Sequence, residues 1–307
     1  MLEEIKKSEK IFFTFGDGSS SLRGAAKRLV NQVEKLNIFD TIINADLNFL
    51  KKNCYKQYSK NYKILTNKTR GFGYWIWKSI LLDWIVKSYS KNSIIMYADS
   101  GCEVYKNGYK NFCYYLAQCY KYGAVFFKLP YHEAEYSKMD LLKHKKININ
   151  NVDGHNQVQA TFFLIKNIKK NRKLISEWYD ISYEKNYHFL NDAPSIKKNH
   201  KDFIEHRHDQ SILSCLVFKK KLNTNAYGYY FNPSLLNYFN SPFKRFFIHS
   251  LRNKKKKSLL SYNKFTRSKP IIYLELYFFL KKIFFIFKTY VVKNGYLRKV
   301  LFKKYRN

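Results

Sequence analysis

Apolar positions along the chain fall into short unbroken runs, and between these runs they recur every three or four residues. The run "IFFTFGDG" (11 to 18) predicts a strand entering a Gly-Asp-Gly turn, and "SLRGAAKRLVNQVEKL" behind it carries helical spacing with Ser19 to Ser21 available as caps. A second strand over "FDTIINA" (39 to 45) precedes another helix, and "RGFGYWIWKSILLDWIVKSY" (70 to 89) places two glycines ahead of a long apolar helix. The strand "SIIMYAD" (93 to 99) follows directly, and then come a helix near 107 to 122 and a strand "AVFFKL" (124 to 129). A helix near 135 to 144, a strand "QATFFLI" (159 to 165) and helices over about 167 to 184 and 208 to 219 complete the series.

Strands alternating with helices predict an α/β fold with a mostly parallel sheet covered by helices on both faces. In such sheets ligands sit outside the carboxyl ends of the strands, where the chain leaves for the next helix. The stretch "YADSGCE" (97 to 103) lies at such an end, so its carboxylates stand where a ligand is expected. The pattern divides the chain into an α/β domain over residues 1 to 250 and a basic linker with a helical tail over 251 to 307. There is no internal repeat and no Gly/Ser-rich linker.

Composition narrows the class. With 46% hydrophobic and 19% aromatic residues in 307, the chain has the means to bury a core, which argues against disorder. The formal charge of +35 points to an anionic partner, yet Lys, Asn, Ile, Tyr and Phe all have A/T-rich codons, so only local clusters count as evidence. Five cysteines without a C-x-x-C spacing fit neither a disulfide framework nor a zinc ribbon, and suit a reducing cytoplasm. The charged start "MLEEIKKSEK" lacks the apolar stretch of a secretory signal.

Several stretches carry the chemistry. Asp99 at a strand end, with Gly101 permitting close backbone approach and Glu103 two residues on, suits oxygen ligation of a divalent cation, or a plain turn. "HRHDQSIL" (206 to 213) sets a polar head before an apolar helical run, and Asp209 there is a site carboxylate or an N-cap. A metallo-hydrolase of the H-x-H-x-D-H type would need Asp where Gln210 stands. "RGFGYWIWKS" offers Arg70 and Lys78 as phosphate or carboxylate partners. In "GHNQVQATFFL" alternation allows Gln157 and Gln159 to share a face, where they bond sugar hydroxyls or cap the sheet.

Taken together and in order, "WIWK", "YADSGC" and "DQSIL" resemble the nucleotide-sugar-dependent glycosyltransferases of the GT-A (Rossmann-like) fold, in particular capsule- and lipopolysaccharide-type members with W-x-W-K, Y-x-D-[AS]-G-C and D-Q-S-[IL]-L motifs. The resemblance spans about residues 10 to 250. It implies donor binding by Thr14, Gly16 and Asp17 for base and ribose, and by Lys78 and Arg70 for the phosphates. Asp99, Gln157 and Gln159 join that donor set.

The family's Asp-x-Asp motif holds Mn2+ or Mg2+ across the donor diphosphate. Here the second aspartate is absent, so that Glu103 completes the ion site or cationic side chains take over part of its role; His249 in "FFIHSLR" falls where many such enzymes place a late metal or diphosphate ligand. The resemblance places Asp209 and Gln210 at the catalytic centre, Asp209 as general base on an acceptor hydroxyl or as stabiliser of an oxocarbenium-like centre. The implied activity is hexosyltransferase-like, moving a sugar from a nucleotide-sugar to a glycan or glycolipid acceptor.

The tail suggests where this would happen. Lys281, Lys282, Lys288 and Lys293 fall on one side of a helical wheel and Leu276, Phe279, Ile283, Ile286 and Tyr290 on the other. With "NKKKK" (253 to 257), this suits a helix lying on an anionic membrane, as in an enzyme peripheral to the cytoplasmic face of the plasma membrane. No nucleic-acid partner is expected. The competing readings are a non-catalytic protein of anionic surfaces or nucleic acid, and a degenerate transferase serving as a partner subunit.

Overall fold

The computed structural model describes residues 2–104, 109–147, 156–225, 248–249 and 254. The strands are β1 (Lys10–Phe15), β2 (Thr41–Ala45), β3 (Ile94–Ala98), β4 (Glu103–Val104), β5 (Ala124–His132), β6 (Asn156–Val158), β7 (Phe162–Lys166), β8 (Thr224–Asn225) and β9 (Ile248–His249). Between them run α1 (Leu2–Lys7), α2 (Ser20–Glu34), α3 (Leu47–Asn53), α4 (Tyr55–Asn61), α5 (Gly71–Tyr74), α6 (Trp77–Ser88), α7 (Tyr109–Tyr122), α8 (Glu133–Tyr136), α9 (Met139–His144), α10 (Lys169–Tyr187) and α11 (His208–Lys219).

A 7-stranded sheet has the order β2-β1-β3-β7-β5-β6, with β8 on β5, and β4 pairs separately with β9. β1, β2, β3, β5 and β8 run one way, while β7 and β6 run against them. The sheet is thus mostly parallel, as the alternation predicts, with an antiparallel strand, β7, inserted at its centre. Apolar content does not encode strand direction: "FFLI" is buried on both faces whichever way it runs.

Alternation along each strand divides the core in two. Phe13, Tyr97, Phe126 and Phe163 pack on the face covered by α6, α10 and α11, and Phe12, Met96, Phe127 and Phe162 on the face covered by α2 and α7. Every residue of β3 is buried, and each large side chain there contributes about 1.5–3 kcal/mol. Gly16 lets the first crossover close: a Cβ there would meet Ala26 Cβ at 2.3 Å, so α2 lies directly on the end of β1.

Two elements differ from expectation. The strand expected over 159 to 165 is β7, which begins at Phe162 and is preceded by a separate strand, β6, and the helix expected near 135 to 144 breaks into α8 and α9. Ser137 and Lys138 are extended at the break. Their side chains account for it: Ser137 bonds the buried Glu133, and the Lys138 ammonium, 1% exposed, donates to the carbonyls of His188, Asn191 (3.2 Å) and Ala193 (3.0 Å). Among the described residues no helix is long and apolar enough to cross a membrane. The tail beyond residue 250, where the membrane-lying helix was expected, lies outside the described residues apart from Lys254.

Candidate active site

β1 has β2 on one side and β3 on the other, so the strand order reverses between β1 and β3. Such a reversal opens a crevice at the carboxyl ends of the two strands. Asp17 follows the end of β1 and Asp99 the end of β3.

Lys78, in the first turn of α6, is 3% exposed and reaches this crevice from below. Its Nζ lies 2.8 Å from Asp209 Oδ2 and 3.4 Å from Asp99 Oδ1, and donates to the Ala160 carbonyl at 3.0 Å. One hydrogen bond and two ion pairs thus surround the ammonium. Burial alone would push its pKa down, but the Asp209 and Asp99 carboxylates outweigh that and hold it above the ordinary lysine value. Its cation also stands 5.2 Å from the Tyr97 ring centroid and 5.7 Å from that of Trp77.

The two carboxylates differ. Asp209 is 5% exposed in its side chain, and burial, eased by Lys78 and reinforced by Asp99, moves its pKa up to about 6. Asp99 keeps 34% of its side chain exposed and accepts a hydrogen bond from the Tyr97 hydroxyl. Burial and the Asp99 charge push the Tyr97 phenol well up, so it remains a donor. Residues 97 and 99 stand two apart on an extended segment and share a face; that spacing is the signal that could have identified Tyr97 from the sequence.

The turn carrying Asp99 is braced from α2. Cys102 N–H bonds the Asp99 carbonyl at 2.8 Å, and Arg28 Nη2 donates to the carbonyls of Ser100 (3.0 Å) and Cys102 (2.9 Å). Burial lowers the Arg28 pKa, and the charge of Glu103 offsets part of that. Glu103 is wholly buried and its Oε2 accepts from Gln32. Its charge faces Arg28, so the side chain expected as an ion ligand lies inside the fold. β4 sets Glu103 opposite His249 in the ladder; the His249 side chain lies outside what is described.

Among the described residues no three of His, Cys, Asp and Glu gather to hold a metal. Of Asp99 and Glu103, only Asp99 offers an accessible carboxylate, so the described side chains do not make up a site for Mn2+ or Mg2+.

Other expected contacts are spent inside the protein. Gln157 is fully buried: its Nε2 donates to the Tyr136 carbonyl (3.3 Å) and to Ser211 Oγ (3.4 Å), and its Oε1 accepts from Gln210 at 2.7 Å. Gln210 also accepts from the Ala160 amide at 3.3 Å. These two residues, expected at donor and catalytic positions, lash the start of α11 to β6 and so fix Asp209. Gln159 is 5% exposed and sits between β6 and β7, its amide on the Phe127 carbonyl. Thr14 is fully buried within β1, out of a ligand's reach. Asp17 ties the β1 loop to its surroundings, accepting from Gly18 N–H (2.6 Å), Leu47 N–H (2.9 Å) and Arg23 (3.1 Å).

Arg70 lies on the rim, paired with Asp192 at 3.2 Å, both about half exposed. The next residues are strained. Gly71, Phe72, Gly73, Tyr74 and Trp75 all have φ between 50° and 91°, one turn of left-handed helix. For each of the three that are not glycine this costs on the order of 1–2 kcal/mol. The turn spans the crevice: Phe72 packs on Phe15 and against Gly18, while the rings of Tyr74 and Trp75 lie 5.2 and 5.4 Å from that of His208.

No protein family's sequence profile and no curated protein matches the chain. Solved structures of similar fold include mouse xyloside xylosyltransferase 1 in its apo form, 11% identical over 79% of this chain and 97% of that one, with a TM-score of 0.42. Another is a glycosyltransferase involved in glycosylating the major capsid of PBCV-1, 7% identical over 78% and 91% of the two chains, at 0.39. A third is the galactosyltransferase LgtC in complex with donor and acceptor sugar analogues, 14% identical over 81% and 84%, at 0.37. All three are named as glycosyltransferases; likeness at this level assigns no activity to the present chain.

Proposed function

We propose that the protein is a glycosyltransferase of the GT-A type, moving a sugar from a nucleotide-sugar donor to a hydroxyl of a cell-surface polysaccharide or lipid-linked oligosaccharide. The observation that carries the reading is the meeting of Lys78, Asp99 and Asp209 at the strand-order reversal. These residues belong to three separate motifs, and a buried lysine drawn between two carboxylates costs desolvation energy, and ionisable groups perturbed in this way in a cleft mark functional sites.

In this reading Asp209, ionised for the most part at neutral pH, takes the proton of the acceptor hydroxyl as that oxygen bonds the anomeric carbon. The bond from that carbon to the donor phosphate breaks, and the nucleoside diphosphate leaves with its electron pair. Lys78 keeps Asp209 ionised and aimed, and Asp99, held by Tyr97 and Lys78, faces the donor. The basic tail over 251 to 307 would hold the enzyme at the cytoplasmic face of the membrane, beside a lipid-linked acceptor.

The test is nucleotide release by the purified protein across UDP-, GDP- and CMP-sugars, with and without Mg2+ or Mn2+, beside Asp99→Ala and Asp209→Ala. Turnover that either substitution abolishes supports the transferase. Silence across the panel, with no thermal stabilisation by any free nucleotide, favours a non-catalytic or degenerate role.

A further inference from the structure

The left-handed turn at residues 71 to 75 packs against His208, next to Asp209, and its strain has a definite product. It keeps Tyr74 and Trp75 half-buried at the crevice mouth, where an ordinary helical turn would swing them elsewhere. Sustained strain of this kind gathers at ligand sites. Beside the two rings stand Arg70 and Asp192, exposed at 53% and 50%, in a pair that as a surface ion bridge does little for stability.

His208 closes the back of this patch. It is 2% exposed, and its Nδ1–H donates to the Leu190 carbonyl at 2.8 Å, which leaves the Nε2 lone pair facing Asp192 Oδ1 at 3.5 Å with no hydrogen-bond partner. Burial lowers its pKa, and its Nε2 is closed off from solvent behind the rings. The patch therefore combines apolar ring surface, one forked cationic donor and one exposed carboxylate acceptor.

We propose that Tyr74, Trp75, Arg70 and Asp192 form a subsite for a pyranose ring of the acceptor glycan. A pyranose has an apolar C–H face that lies on an aromatic ring and a rim of hydroxyls that bond such donors and acceptors. The charges beside the rings do not favour a diphosphate: Arg70 is already paired with Asp192 at 3.2 Å, which leaves no uncompensated cation there. Phe72, on the other side of the turn, packs toward the β1 loop. Only the word acceptor rests on the transferase reading; the saccharide contact stands without it.

The experiment is saturation-transfer difference NMR on the full chain with a panel of methyl pyranosides, and separately with UDP, for the native protein, Trp75→Leu and Arg70→Ala. Arg70→Ala alters only an exposed side chain, so it stays informative where Trp75→Leu unfolds. The expected result is ring-proton signal from at least one pyranoside, with affinity falling by about tenfold or more in Arg70→Ala while the response to UDP and the melting temperature hold. No pyranoside signal, a signal indifferent to both substitutions, or loss of the UDP response in place of the pyranoside response would overturn the subsite. Donor turnover by the native protein is scored apart from this, so the subsite and the transferase reading fail separately.

Discussion

Lys78 and Asp209 form an ion pair of 2.8 Å in which neither side chain is more than 5% exposed. A buried pair of this kind loses most when one partner is removed. Lys78→Met should lower the unfolding free energy by about 3–5 kcal/mol by leaving a buried carboxylate alone. Adding Asp209→Asn should recover part of that loss without restoring nucleotide release. Denaturant titrations of the two variants measure both effects.

Asp209, at about 6, sets an acid limb on activity. Below that value each pH unit cuts its ionised fraction about tenfold, so the rate should fall on the acid side with a midpoint near 6. A donor-saturated rate profile from pH 5 to 8 checks this, and a flat profile would remove Asp209 as the base.

Glu133 carries a stability signature of its own. It is fully buried beneath α11, bonded by Ser137 and Ser214, and burial outweighs those bonds to raise its pKa to about 7. A carboxyl raised above its unfolded value adds stability below the unfolded pKa and loses it as pH climbs through the folded one. Between pH 4.5 and 7 this group should therefore cost on the order of 3 kcal/mol. Glu133→Gln should flatten that slope and raise the melting temperature at pH 8.

Gly16→Ala tests the seam between β1 and α2. With the new Cβ 2.3 Å from Ala26 Cβ and 2.9 Å from the Leu22 carbonyl, backbone must move. The expected loss is about 1–3 kcal/mol, with nucleotide binding weakened because the loop carrying Asp17 moves too.

Much of this architecture was legible in the chain. The runs over β1, β2, β3 and β5 and the helical spacing of α2, α6 and α11 placed the strand ends, and with them Asp99 and Asp209, before any coordinates. Which side chains meet was not, because such contacts are long-range. Nothing local tells that Gln157 bonds Gln210, or that Glu103 faces Arg28 from 75 residues away and is lost to the crevice. Gly71 and Gly73 signalled an unusual turn, but the left-handed backbone of Phe72, Tyr74 and Trp75 is imposed by packing on Phe15 and His208, which propensity does not carry.

The central claim is that the Asp209 carboxylate acts on the reacting groups. Its most direct test is steady-state donor turnover by Asp209→Asn, an isosteric change, on whichever nucleotide-sugar the native protein consumes. The account predicts a fall of about 10²–10⁴-fold with the donor KM near the native value. Turnover within a few-fold of native would contradict it, and would leave the Lys78–Asp209 pair as a brace within the fold.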